Sequence, residues 1–226
     1  VGRTIESHTK ALKVVLFSPN GEMLATGSMD KTINVHNVAN NFSLMHTLSG
    51  GNEEDERTLN IVQSLSFSPD SSRLCSCGRS DQSIRFWDPL KGALVKTFNY
   101  LHKRGVKDIA HSPNGNLLAS CGLDRMIKIW NARTMDLLHI YDQKTNIAYV
   151  DFNPVAPLLI AAGGKDHFVR LTDISEVTGA GEGMAKLVGG GRDGGVSDVM
   201  AMGESMEMGE SLSLSMSMSM PMSMSM

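Results

Sequence analysis

Four stretches of this chain align with one another along most of their length: "LKVVLFSPNGEMLATGSMDKTINVHN", "VQSLSFSPDSSRLCSCGRSDQSIRFWD", "VKDIAHSPNGNLLASCGLDRMIKIWN" and "AYVDFNPVAPLLIAAGGKDHFVRLTD". A unit repeated in tandem limits the fold more than composition does, because a single unit cannot bury its apolar faces alone and must stack on neighbours. The turn acids Asp30, Asp81, Asp124 and Asp166 mark the period, 51, 43 and 42 residues apart. Each copy reads as an alternating strand, a Pro-containing turn, a second strand ending in small residues, a tight turn carrying the Asp, and a third alternating strand. Between copies lies a fourth short strand, as in "SLMHTL", "ALVKTF" and "DLLHIY".

Four strands per roughly 40 to 45 residues is the pattern of a propeller blade. The expected fold is therefore all-β, a partial propeller of about four blades at about residues 7–48, 49–98, 99–141 and 142–173. Over about residues 3 to 173 the chain resembles the WD-repeat family. "IRFWD", "IKIWN" and "VRLTD" stand where that family has its Trp-Asp dipeptide, and "SHTKA" stands where it has Gly-His. The resemblance implies a propeller of WD-repeat type and, for function, a scaffold for other proteins; fold alone names no partner.

The resemblance also implies a buried hydrogen-bonded tetrad. His102, Ser120, Asp124 and Trp130 of the third copy fall at its positions, and His8, Thr26 and Asp30 repeat it in the first. A carboxylate can accept from an imidazole N–H, the other ring nitrogen can accept from a hydroxyl, and the hydroxyl oxygen can accept from an indole N–H. The same side chains admit a catalytic reading, with Ser120 as nucleophile, His102 as base and Asp124 orienting it. Against it, Ser120 lies inside a strand pattern, no Gly-x-Ser-x-Gly elbow surrounds it, and the first copy repeats the arrangement. The chain is read as non-enzymatic.

Departures from the pattern are expected to loosen their blades. His36 replaces the Trp of the first copy, and Thr58 stands where the second would have its His. In the fourth, Gln143, Ala162 and Thr172 replace His, Ser and Trp. His111 replaces the Phe of "FSP" at a core-facing position, where a partly buried neutral imidazole is expected. Cys75 and Cys77 share a strand face, with Cys121 aligned nearby; they are read as small core residues, their spacing matching no zinc pattern. Neither a metal nor a cofactor is expected.

Composition divides the chain at Ile174. Eleven of its 16 Met follow that residue, with seven acids against two bases. Residues 1 to 173 are then left near +2 of a total of −3, so neither part has the charge of a nucleic-acid binder. Residues 174–226, Gly-rich and then "SLSLSMSMSMPMSMSM", read as a low-complexity, mostly disordered tail, although Met184 to Val188 could add a strand to the fourth blade. Met-x-Met spacing suits Cu(I), but no Cys or His supports it there. Three Cys and no secretory leader read as an intracellular protein, cytoplasmic or nuclear, and no apolar run is long enough to span a bilayer.

The second repeat is preceded by an insert, "GGNEEDERTLN", carrying Glu53, Glu54, Asp55 and Glu56; the corresponding loop before the third carries Lys103 and Arg104. These loops should emerge on one rim, which is the candidate partner-binding site. Residues 1–6 resemble the outer strand of a preceding repeat, so the chain is read as a fragment of a larger propeller; closure of that strand onto the fourth blade is the alternative. Either arc exposes apolar flanks that invite self-association. The leading function is a protein–protein interaction scaffold. The order of motifs loosely resembles centriolar and centrosomal WD-repeat proteins, which implies a centrosomal or microtubule-organising adaptor as one alternative. A subunit of an RNA-processing or ribosome-assembly complex is another.

Overall fold

A computed structural model describes Gly2 and residues 4–49, 61–78 and 82–178. The tail from residue 179, with Met184 to Val188, lies outside these residues, as do the insert acids, Thr58 and Asp81. The described part is all-β, closing with a 3-10 turn at Ser175–Thr178. The first blade is β1 (Leu12–Phe17), β2 (Met23–Ser28), β3 (Thr32–Asn37) and β4 (Ser43–Ser49). The second is β5 (Val62–Phe67), β6 (Leu74–Gly78), β7 (Ile84–Asp88) and β8 (Ala93–Phe98). The third is β9 (Val106–His111), β10 (Leu117–Gly122), β11 (Met126–Asn131) and β12 (Leu137–Asp142). The fourth has β13 (Ile147–Phe152), β14 (Leu159–Gly164) and β15 (Val169–Asp173). Within each sheet consecutive strands pair antiparallel. Gly2 and Thr4–Glu6, read above as an outer strand, are not in a strand: an edge strand exists only through its ladder, and no described strand pairs with them.

The turn chemistry repeats with the strands. In three a–b turns, those joining the first two strands of a blade, a Ser amide bonds the carbonyl five residues on: Ser18 to Met23, Ser68 to Arg73 and Ser112 to Leu117. Gly21, Ser71 and Gly115 take the left-handed conformation there, with φ of 73, 60 and 73°. In the tight turn between second and third strands, the residue after each Asp is left-handed: Lys31, Gln82, Arg125 and His167. None is Gly. The Asp side chain holds the turn instead, Asp30 accepting from the Thr32 amide at 3.0 Å and Asp124 from the Met126 amide at 3.3 Å.

Blades stack in chain order through apolar faces. Met23, Ala25, Ile33 and Val35 of the first meet Leu65, Phe67, Leu74 and Trp87 of the second. Cys75, Cys77, Ile84 and Phe86 of the second meet Ile109, Leu118 and Trp130 of the third. Ala119, Ile127 and Ile129 of the third meet Val150, Phe152 and Ile160 of the fourth. Cross-strand neighbours share a face, so each central blade is apolar on both. Polar ties sit among these contacts: the Val150 amide donates to Asp108 at 3.0 Å, and the Asn20 amide to Ser71 Oγ at 3.1 Å. The a–b turns of successive blades therefore lie at one end of the arc, and the loops that lead into each blade lie at the other.

His111 lies at the seam of the second and third blades, over a cavity of about 530 Å³ between inner strands. Its Nδ1 is 3.0 Å from Ser66 Oγ, and its Nε2 is 3.6 Å from Cys75 Sγ. Burial pushes its pKa down to about 4, Arg73 adding to the shift and Asp70 opposing it. A base whose folded pKa is depressed is disfavoured in its charged form, so its cost appears as pH falls from 6.5 and is complete near 4. His111→Phe should remove this pH dependence. Urea unfolding at pH 7 and pH 4.5 should show wild type losing more stability on acidification than the variant, by at most about 3 kcal/mol. Asp108, raised by burial, and the low carboxyls Asp30 and Asp124 are common to both proteins and leave the difference unchanged.

Candidate functional site

In the third blade four side chains from one loop, one turn and two strands form a continuous chain. His102 Nδ1–H donates to Asp124 Oδ1 at 2.8 Å, Ser120 Oγ–H donates to His102 Nε2 at 2.8 Å, and Trp130 Nε1–H donates to Ser120 Oγ at 2.8 Å. His102 and Ser120 are fully buried and Trp130 is 4 % exposed. Burial would raise the Asp124 carboxyl, but bonds from His102 and the Met126 and Lys103 amides outweigh it and hold it below its usual value. There is no space for a Cβ on Gly122, which would lie 2.7 Å from the Gly105 carbonyl and 2.8 Å from His102 Nδ1.

The first blade builds a longer version. His8 Nδ1–H reaches Asp30 Oδ2 at 3.0 Å, and Thr26 Oγ1–H donates to His8 Nε2 at 2.8 Å. The Thr32 hydroxyl joins Asp30 at 2.7 Å. Burial would raise the Asp30 carboxyl, yet the Thr32, Thr9 and His8 donors hold it well below the usual range. His36 is buried where the Trp would stand and makes hydrogen bonds of its own. Its Nδ1–H donates to the Phe42 carbonyl at 3.1 Å, which leaves Nε2 to accept from Ser7 Oγ at 2.9 Å. Buried at 3 % exposure, it substitutes one polar tie for another.

A further tie lies outside the tetrads. Lys128 Nζ donates to the Leu101 carbonyl at 2.6 Å, and Asn34 Nδ2 donates to the Ser7 carbonyl. Asn34 and Lys128 occupy the same position of the third strand, and each catches the residue just before the tetrad His. The signal was a recurring polar residue inside an apolar strand: Asn34, Arg85, Lys128, Arg170. In the second blade only the lower half of the tetrad is described, with Trp87 Nε1–H donating to Ser76 Oγ at 2.8 Å. In the fourth, Arg170 pairs with Asp166 and takes the place of the missing His.

The tetrads hold the loops at one end of the arc, and those loops carry cations. Lys103 and Arg104 follow His102, and the Lys103 amide bonds Asp124 Oδ2 at 3.1 Å. Arg125 follows Asp124, Lys31 follows Asp30, and Lys10 lies two residues after His8. With Lys144 and Lys165 from the fourth blade, these side chains are exposed. Among the described residues none of the seven is in an ion pair. Among the described residues the acids at this end are largely engaged: Asp30, Asp124 and Asp166 hold His8, His102 and Arg170, leaving Glu6 and Asp142. The opposite end carries Glu22, Asp70, Asp88, Asp136, Asp173 and Glu176 against Arg73, Lys91 and Arg133. The charges lie far apart in sequence, and only the alternation of loop ends sorts them.

Among the described residues no three His, Cys, Asp or Glu side chains are grouped to hold a metal ion, and no helix is long and apolar enough to cross a membrane. Cys75 and Cys121 are buried thiols whose pKa burial pushes well up. Cys75 therefore meets His111 with both groups neutral, opposite to an activated thiolate–imidazolium pair.

The model of the family "WD domain, G-beta repeat" matches residues 1–37, 43–88 and 92–131. The chain belongs to the WD-repeat family. The matched residues end at Asn131, before the fourth blade, whose tetrad positions have changed most. The WD-repeat chain is 29% identical over 204 residues to the transcriptional corepressor LEUNIG_HOMOLOG of Arabidopsis thaliana, covering 73% of this chain and 25% of that protein. It is 32% identical over 131 residues to the nuclear distribution protein PAC1 of Arthroderma otae, covering 57% and 28%. To a subunit of chromatin assembly factor 1 from Gallus gallus it is 32% identical over 142 residues, covering 56% and 24%. The matches thus span about a quarter of the length of these relatives.

Two substitutions separate packing from hydrogen bonding at Trp130. Trp130→Ala removes a buried ring and should cost about 3–5 kcal/mol. Trp130→Phe keeps most of the packing and removes the donor to Ser120, and should cost about 1–2 kcal/mol. Equilibrium unfolding in urea distinguishes them.

Proposed function

We propose that this chain is a non-catalytic scaffold that binds an acidic stretch of a partner protein on its cationic end. The observation that carries this reading is the set of exposed cations, outside any ion pair among the described residues, that the first, third and fourth blades place at one end of the arc. Lys103 and Arg104 remain the centre of the proposed rim. Glu53, Glu54, Asp55 and Glu56, its expected acidic neighbours, lie outside the described residues. The non-catalytic reading is supported by the burial of Ser120, whose oxygen is engaged by both His102 and Trp130 and has no face open to a substrate. Repetition of the His–hydroxyl–Asp chain in the first blade supports it too.

Two of the relatives are named for transcriptional corepression and for chromatin assembly. Those names favour a nuclear assembly over the centrosomal adaptor and RNA-processing alternatives. A protein partner is favoured over nucleic acid because residues 1–173, which carry the blades, are only about +2, short of the charge of a nucleic-acid binder.

Exposed charges govern association rate and salt dependence more than fold stability. Lys103→Glu combined with Arg104→Glu should leave the melting temperature nearly unchanged and weaken binding of a fluorescent polyglutamate peptide, most clearly at low ionic strength. Fluorescence anisotropy with that peptide and with a duplex oligonucleotide tests this. Peptide binding unaffected by charge reversal, or binding of the oligonucleotide alone, would overturn the proposal.

A further inference from the structure

In the loop that leads into the third blade, Asn99, Leu101, His102 and Lys103 are each tied to the sheets beneath. Ser83 Oγ–H donates to Asn99 Oδ1 at 2.9 Å, and the Leu101 amide donates to the Gln82 carbonyl at 2.9 Å. The Leu101 carbonyl accepts from Lys128 Nζ at 2.6 Å, His102 is locked in the tetrad, and the Lys103 amide is fixed on Asp124. Between these anchors Tyr100 stands in left-handed backbone, with φ of 59°, and is 83 % exposed. No aromatic side chain among the described residues is more exposed. Two residues earlier, Phe98 packs edge-on to Phe86 at 5.9 Å, with Lys96 Nζ 4.5 Å from its ring centre. The Tyr100 ring has no such contact among the described residues.

A bulky side chain is unfavourable in left-handed backbone. The comparable residues Phe42 and Met135, with φ of 57 and 62°, are half-buried and buried, so packing offsets their strain. At Tyr100 nothing among the described residues does so. Strain that persists because the surroundings over-determine it collects at ligand clamps. The loop lies over the seam of the second and third blades, each flanked on both sides by another blade, so this exposure is independent of what covers the first and the fourth.

We infer that Tyr100 is the apolar anchor of the cationic rim, its ring receiving a bulky apolar side chain set within the acidic stretch that Lys103 and Arg104 attract. The inference rests on the cationic end proposed above and specifies its ligand: an acidic peptide interrupted by an aromatic or large aliphatic residue. Charge complementarity selects the acids, because Lys103, Arg104 and Arg125 are exposed around the same loop. The ring selects among acidic chains, which cations alone would accept alike. A pinned aromatic also offers contact area at little cost in ordering, and Tyr and Arg are the side chains on which interfaces most depend.

Fluorescence anisotropy with two labelled peptides tests it, one polyglutamate and the other identical except for a central Phe. Wild type should bind the Phe-containing peptide about tenfold more tightly. Tyr100→Asn removes the ring and keeps a residue that tolerates left-handed backbone, so the melting temperature should not fall. That variant should lose the preference and bind polyglutamate within about twofold of wild type. Tyr100→Phe should keep the preference, and Lys103→Glu with Arg104→Glu should weaken both peptides. Equal binding of the two peptides by wild type, equal weakening of both by Tyr100→Asn, or loss of the preference in Tyr100→Phe would overturn the inference and leave the cationic reading standing. Charge reversal without effect on either peptide would overturn the two together.

Discussion

A single buried hydroxyl, Ser120 Oγ, joins the parts of the third blade that lie farthest apart in the chain. It accepts from the indole of Trp130 in β11 and donates to His102 in the loop from the second blade, and His102 is in turn held by Asp124 in the next turn. Each of these groups would be costly to bury alone, and each is satisfied by its neighbour. The result is a loop fixed by side chains instead of by a ladder, which lets an irregular segment stand still at the end of a sheet. The cations depend on it. Lys103, Arg104 and Arg125 are sequence neighbours of His102 and Asp124, so the bonds that satisfy the interior also fix where the charges stand.

The stacking of blades imposes a second condition. A blade that is apolar on both faces needs a neighbour on each, and the second and third blades have them. Their middle strands β6 and β10 are buried along their whole length. The outer strands β8 and β12 are largely exposed, and tolerate Lys96 and His139 in register with Cys75 of β6 and Ala119 of β10. The gradient runs across each sheet as well as along the arc.

Much of this is legible in the sequence, because its causes are local or periodic. The strand alternation, the Pro and Gly of "SPNG" and the interval between turn acids are read directly, and they yield four sheets in the right order. The tetrad of the third blade follows from spacing once the family resemblance is seen. The features that are not legible share a physical reason. His36 reads as a lost Trp, because nothing in the sequence says that Ser7 stands opposite it, 29 residues away. Lys128 and Asn34 read as polar interruptions of a strand, whereas each caps a carbonyl in a loop 27 residues earlier. Net charge conceals the cationic end entirely, since sorting depends on which loops share an end of the arc.

The most direct test of the account lies in the two indole protons. Trp87 and Trp130 are the only Trp residues, and each donates its Nε1–H to a buried Ser at 2.8 Å. In ¹H–¹⁵N spectra after transfer to D₂O, the Trp130 indole proton should exchange as slowly as the backbone amides of β10 and β11, since its release requires opening of the whole blade. The Nδ1 proton of His102 should persist with it. An indole proton of Trp130 that vanished while the β10 and β11 amides remained protected would contradict the account, because the tetrad would then be a loose contact on a blade held together by other means.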